Sequence, residues 1–445
     1  MKTLLLLCLS AALVSVPAAV AADSIASRAV RTTIDGIDVI AYPTGVKDVV
    51  TIRGALPAGD AFADDNVAVA TLTGMMLDKG TTSADKFAIA QKLESVGATI
   101  SFDVGTQMAE VNAKCLKKDA ALVIGLIAEQ LRSPAFSPEE FDKVKKQFAG
   151  GLKRQLESTE FRAADAFTRA VYPLGHPNRQ PAPDELLAAA ASAKLDDVKA
   201  FHAKYYGPAH MTLVIVGDLD IPQLQQDITK SFAGWTGGVD VIHPAKAKMT
   251  DAARDQNVFM ADKTSVTVIM GESSGLRYSD PDYQALRVGT AILGSGFTGR
   301  LMSTVRDKEG LTYGIGSNLA HDTFSDGDWK ISATFAPALL DQGLASTKRQ
   351  LDLWYENGVT DQELAHRKTD LIGSFKVGLA TTDGMAASLL NTIHRGYDLN
   401  WLDEYPKKID SLTTAQVNGA IKKYVRPDEV YIIKAGTIPG ATAAP

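Results

Sequence analysis

Tyr205-Tyr206-Gly207-Pro208-Ala209-His210-Met211-Thr212-Leu213-Val214-Ile215-Val216-Gly217 returns later in the chain as Tyr424-Val425-Arg426-Pro427-Asp428-Glu429-Val430-Tyr431-Ile432-Ile433-Lys434-Ala435-Gly436. Tyr, Pro and Gly recur at the same displacement of 219 positions, and the β-branched run between them stays in register. The stretches before them also match: Asp196 to Lys204 and Ala415 to Lys423 both read as amphipathic helices, with Val198 opposite Val417. Further inward, Leu93 to Ile100 pairs with Val305 to Tyr313. Each is the end of an apolar-periodic helix, a glycine at the C′ position, then a strand. Matches in the same order mark a duplication, and two copies at so long a period exclude a solenoid.

Each copy reads as strands, then helices, then a closing strand. In the first, Thr32 to Ala41 and Val49 to Leu56 carry strand alternation, and Ile100 to Leu116 holds two more strands. Helices are expected over Val67 to Asp78, over Ser83 to Ser95 with Phe87, Ala90 and Leu93 on one face, over Asp119 to Arg132, and over Pro138 to Glu157 behind Ser137. This order predicts an α+β fold of two similar halves, each a mixed or antiparallel sheet covered by helices on one face. The first half spans 23–236, a Gly-, Ala-, Pro- and charge-rich linker 237–256, and the second half 257–445.

Residues 1–22 read as a secretory signal: Lys2, the apolar run Leu4 to Val16, and small residues Ala19 to Ala22 at the cleavage site. The run is shorter than the roughly 20 residues a membrane helix needs. An exported chain, periplasmic in a bacterium and free of the membrane once cleaved, is the expectation. Cys8 leaves with the signal and Cys115 remains alone, which rules out an intrachain disulfide; its strand-like setting suits a small core residue. The net charge is −6 and no basic block interleaved with aromatics occurs, so nucleic acid is not an expected partner.

Several segments resemble the insulinase-like (pitrilysin-type) zinc metallopeptidases, including their heterodimeric bacterial members and the mitochondrial processing-peptidase alpha subunit. They are Tyr172-Pro173-Leu174-Gly175-His176-Pro177, Tyr206 to Asp220, Leu293 to Leu301 with its glycines, and Arg306-Asp307-Lys308-Glu309-Gly310-Leu311-Thr312-Tyr313. The resemblance implies a clamshell closed with a partner chain around a chamber. Active members carry H-x-x-E-H on a helix. The two histidines, four apart, share a face and bind zinc, and the glutamate serves as general base, with a further glutamate ligand from a later helix.

Aligned on Lys79-Gly80-Thr81, the histidine positions hold Thr71 and Met75, the base position Gly74, and the downstream ligand falls near Ala149 to Gly151. No imidazole or carboxylate stands there, so no metal ligand is assigned to this chain, and zinc is expected in the partner. Of the histidines His176, His202, His210, His243, His321, His366 and His394, none makes an i, i+4 pair; Glu363 and His366 form an isolated Glu-x-x-His on a charged helix.

What the resemblance retains is Arg306 and Tyr313, the catalytic candidates. A guanidinium fork can hold peptide carbonyls, and a phenol can donate to a developing oxyanion. With Gly294, Gly296 and Gly299 of the glycine-rich loop, which permit close approach of a peptide backbone, they form the expected substrate-binding set. The implied function is a non-catalytic, substrate-binding subunit. It completes the site of a homologous partner bearing H-x-x-E-H, with peptides as substrate. The competing reading is an inactive scaffold. A self-sufficient hydrolase would need a nucleophile beside a base, and no residue is assigned to either role.

Overall fold

The computed structural model describes residues 24–440 apart from 64, 248 and 249. The signal read over 1–22, and Cys8 with it, lie outside them. The described chain opens with α1 (Ile25–Arg28), β1 (Val30–Ile34), β2 (Ile37–Pro43) and β3 (Val49–Leu56), followed by α2 (Val69–Met76) and α3 (Lys86–Ser95). Strands β4 (Thr99–Val104) and β5 (Ala109–Leu116) come next. Helices α4 (Ala120–Arg132), α5 (Pro138–Gln155), α6 (Thr159–Val171), α7 (Pro183–Ser192) and α8 (Leu195–Tyr205) then lead to the closing strand β6 (Thr212–Gly217) and helix α9 (Ile221–Phe232). The second pass runs β7 (Asp255–Phe259), β8 (Val266–Ser273), α10 (Tyr283–Gly294), a π-wound segment Met302–Lys308, β9 (Thr312–Ala320) and β10 (Asp328–Phe335). It ends with α11 (Leu340–Asn357), α12 (Asp361–Gly378), α13 (Thr382–His394), α14 (Asn400–Ser411), α15 (Thr414–Tyr424) and β11 (Tyr431–Gly436).

The two sheets, β1-β2-β6-β3-β5-β4 and β7-β11-β8-β10-β9, have the same plan. Each closing strand lies parallel to one neighbour, β2 or β7, and antiparallel to the other, β3 or β8. The repeated glycine has the same task in both. Gly217 and Gly436 sit at φ +150° and +145°, and a Cβ there would come within 2.0 Å of the Val49 carbonyl oxygen or 2.6 Å of that of Ser265. The helix-ending glycines Gly97 and Gly310 likewise share left-handed φ values of +63° and +66°.

Three expectations are corrected. Thr32 to Ala41 is a hairpin and not one strand, because Asp35 and Gly36 take φ +47° and +89° and reverse the chain. And the sheets are covered on both faces, because the halves exchange a helix: α13 packs on β3 and β6, and α6 packs on β8 and β11. The exchange is marked by matching hydroxyl pairs, Thr51 with Thr382 at 2.9 Å and Thr159 with Thr267 at 2.8 Å. Burial on both faces explains why β6 is buried along its whole length and its Leu213 to Val216 run does not alternate. In α3, Ile89 turns inward and Phe87 is left exposed, so the face read at Phe87, Ala90 and Leu93 is not the buried one. No described helix is long and apolar enough to cross a membrane.

Candidate functional site

Helix α2 lies against β4, α5 and α8. Thr71 and Met75, one turn apart, share a face, and both line a cavity of about 670 Å³ together with Gly151 of α5. The three positions matched to zinc ligands thus still converge on one space, but with a hydroxyl, a thioether and a bare backbone. The position matched to the general base is closed. A Cβ on Gly74 would stand 2.3 Å from Cγ2 of Val104, whose side chain has taken the room a glutamate needs. Among the described residues no group of three or more His, Cys, Asp or Glu is placed to hold a metal ion.

The cavity has its own acid. Thr71 donates a 2.8 Å hydrogen bond to Asp60. Burial pushes the Asp60 carboxyl up to about 6, with Thr71 offsetting part of the shift. Burial, and then the charge of Asp60, also raise the neighbouring Tyr206 phenol, whose oxygen is buried without a hydrogen-bond partner.

His176 and His321 have structural partners. His176 stacks on Tyr172 at 4.6 Å and faces Asp326 at 3.7 Å. His321 contacts Asp328 at 2.5 Å, and Asp328 also accepts from Tyr172 at 2.9 Å and Lys330 at 2.8 Å. The Tyr172 to Pro177 segment is therefore part of a buried polar seam joining the halves. Glu363 is the N-terminal capping glutamate of α12 and pairs with Arg300 at 2.7 Å. Burial opposes its ionisation, but Arg300 and Thr360 outweigh it and hold the carboxyl at about 2, so it is committed away from His366. Burial and Asp119 push the Cys115 thiol up to about 11, which suits a core residue.

The glycine loop divides its work. Gly294 ends α10 against β9, where a Cβ would meet the Ser317 amide nitrogen at 2.5 Å, and a Cβ on Gly299 would stand 3.0 Å from the Gly294 Cα. Gly296 takes φ +67° with open space around it. The following helical segment buries Leu301 and Val305 and turns Arg306 outward. Its π-winding closes when the Leu311 amide donates to the Val305 carbonyl at 2.9 Å, and Gly310 redirects the chain into β9.

Arg306 then meets two rings, 5.2 Å from the centroid of Phe297 and 5.6 Å from that of Tyr313. Phe297 is 70% and Tyr313 88% exposed. The arrangement offers a guanidinium held by ring faces and a phenol free to donate outward. Neither Arg306 nor Tyr313 lines the cavity beside Thr71, so a single chain does not bring the two sets together. Phe297 escaped the sequence reading, although a lone aromatic inside a glycine loop is a signal. Asp60, His321 and Lys330, which also line the cavity, had none, being remote in sequence.

Residues 192–371 match the family described as the peptidase M16 inactive domain. The chain is 24% identical over 388 residues to the non-peptidase homolog YmxG of Helicobacter pylori, covering 85% of this chain and 87% of that protein. It is 24% identical over 364 residues to an uncharacterized zinc protease of Streptomyces coelicolor, covering 78% and 76%. Among solved structures, the peptidase M16 inactive domain from Pseudomonas fluorescens superposes with a TM-score of 0.84 at 25% identity, over 94% of this chain and 99% of that one. A protease from Helicobacter pylori shares the fold at a TM-score of 0.81 and 18% identity, over 92% and 99%. Residues 192–371 thus belong to the insulinase-like peptidase M16 family as its inactive domain, and the fold and the relatives carry that likeness along the rest of the chain.

Proposed function

We propose that this chain is the substrate-binding, non-catalytic subunit of a two-chain zinc peptidase, exported to the periplasm. In this reading it lends Arg306 and Tyr313 to the zinc site of a homologous subunit bearing H-x-x-E-H. The observation that carries it is the exposed Phe297–Arg306–Tyr313 stack in a chain whose base position is filled by Val104. A scaffold has no need of a cation and a phenol presented outward on ordered elements; a shared active site does. The glycines at 294, 296 and 299 shape the loop that brings Phe297 to the stack.

The test is co-expression with a homologous chain carrying the motif. The pair should co-elute on size exclusion at micromolar concentration, through an interface above roughly 2,000 Å² if permanent. It should cleave unfolded peptides in a chelator-sensitive way, while this chain alone holds no stoichiometric zinc and cleaves nothing. Separate elution with no joint activity would leave the scaffold reading in its place.

A further inference from the structure

The cavity left at the vacated zinc positions is not filled in. At about 670 Å³ it is within the range of small-ligand sites. Its walls mix polar groups with apolar side chains, Met75, Val104, Phe148 and Leu152 among the latter, and Asp60 lines it as well. Among the described residues Asp60 has no cation within ion-pair distance; its side-chain partner is the Thr71 hydroxyl. A carboxylate taken out of water without a cation opposes folding. The other charged groups of the lining are differently placed. Lys330 and His321 both pair with Asp328, Asp165 pairs with Arg169, and Arg154 is exposed.

We infer that this cavity is a binding pocket for a lysine side chain of a peptide, its aliphatic stem against Met75, Val104 and Leu152 and its ammonium on Asp60. The pocket offers what such a side chain requires, apolar wall for the stem and, in Asp60, an acid with no cation of its own. A norleucine side chain has the same stem and no charge, so it isolates the contribution of Asp60. The inference rests on the peptide-binding reading above, and it adds a preference that does not involve Arg306 or Tyr313.

The experiment is calorimetric titration of the mature chain alone with two end-blocked pentapeptides, four alanines around a central lysine or a central norleucine. The lysine peptide should bind at least tenfold tighter, Asp60→Asn should abolish that advantage, and Met75→Trp, which fills the cavity, should abolish binding of both. Absence of binding, equal affinity for the two peptides, or a lysine preference that survives Asp60→Asn would overturn the inference. Should Asp60→Asn fail to fold, Met75→Trp decides alone, an unchanged lysine preference being the overturning result. Because no partner chain is present, a negative result here leaves the Arg306 and Tyr313 reading standing, and loss of that reading is seen only in the two-chain assay.

Discussion

The guanidinium carbon of Arg306 lies 5.6 Å from the ring centroid of Tyr313, although seven positions and a chain reversal separate them. The reversal is what unites them: the π-wound segment ends at Gly310, and β9 starts back beside it. Phe297 also contacts Arg306, at 5.2 Å. A cation held against rings loses less freedom on meeting a peptide carbonyl than one on a free stem. The Tyr313 hydroxyl makes no hydrogen bond within the described chain and is open to a substrate.

The first prediction concerns that hydroxyl. In the assembled two-chain peptidase, Tyr313→Phe removes one oxygen from an 88% exposed side chain, so folding and assembly should be unchanged. A well-placed transition-state donor is worth about 2.7–4 kcal/mol, so kcat should fall roughly 100- to 1,000-fold. Arg306→Lys keeps the charge and loses the fork, and should act mainly on KM. Steady-state kinetics with a thermal melt as control checks both, and unchanged kinetics would make the pair structural.

The second concerns Phe297. Exposed cation–π contacts contribute about 0.5–1 kcal/mol. Phe297→Ala should therefore raise KM two- to fivefold through loss of Arg306 positioning, with kcat little altered, and Phe297→Trp should restore KM. An unchanged KM, or equal loss in the Trp variant, would show that the ring does not position Arg306.

The third concerns Gly74. A glutamate there meets Val104 at 2.3 Å from its Cβ alone, so Gly74→Glu should destabilise by about 1–3 kcal/mol through overpacking. Val104→Ala on that background should recover part of the loss, although alone it creates a void. Urea midpoints of the two single variants and the double variant check the coupling, and simple additivity would mean that Val104 is not the obstacle.

The duplication was legible because its marks are local. Gly217 and Gly436 meet a carbonyl oxygen in each copy, and Val198 and Val417 are both fully buried. The helix exchange was not, because no feature within α6 or α13 says whose sheet it covers. The unbroken apolar run of β6 was the one trace of a second covered face. At the site, Arg306 and Tyr313 could be named from their spacing and resemblance, whereas the Asp60 pocket is assembled from residues that only the fold brings together.

The last prediction follows from Asp60 and has a definite sign. Its carboxyl titrates near 6 in the fold against an ordinary 3.8, because burial disfavours the charged form. Between those values the folded chain keeps a proton that the unfolded chain has released. Stability from this group is therefore full below about pH 4, falls as pH rises through 6, and is absent above it. The shift corresponds to at most about 3 kcal/mol. Asp60→Asn carries no charge at any pH, so it should melt higher than the parent at pH 7.5 and level with it at pH 3.8. A lysine-bearing peptide should shrink the pH 7.5 gap by stabilising the parent more than the variant. Melting temperatures of both chains across that range decide the matter: a variant less stable than the parent at pH 7.5 would mean that Asp60 already has a stabilising partner in the chain.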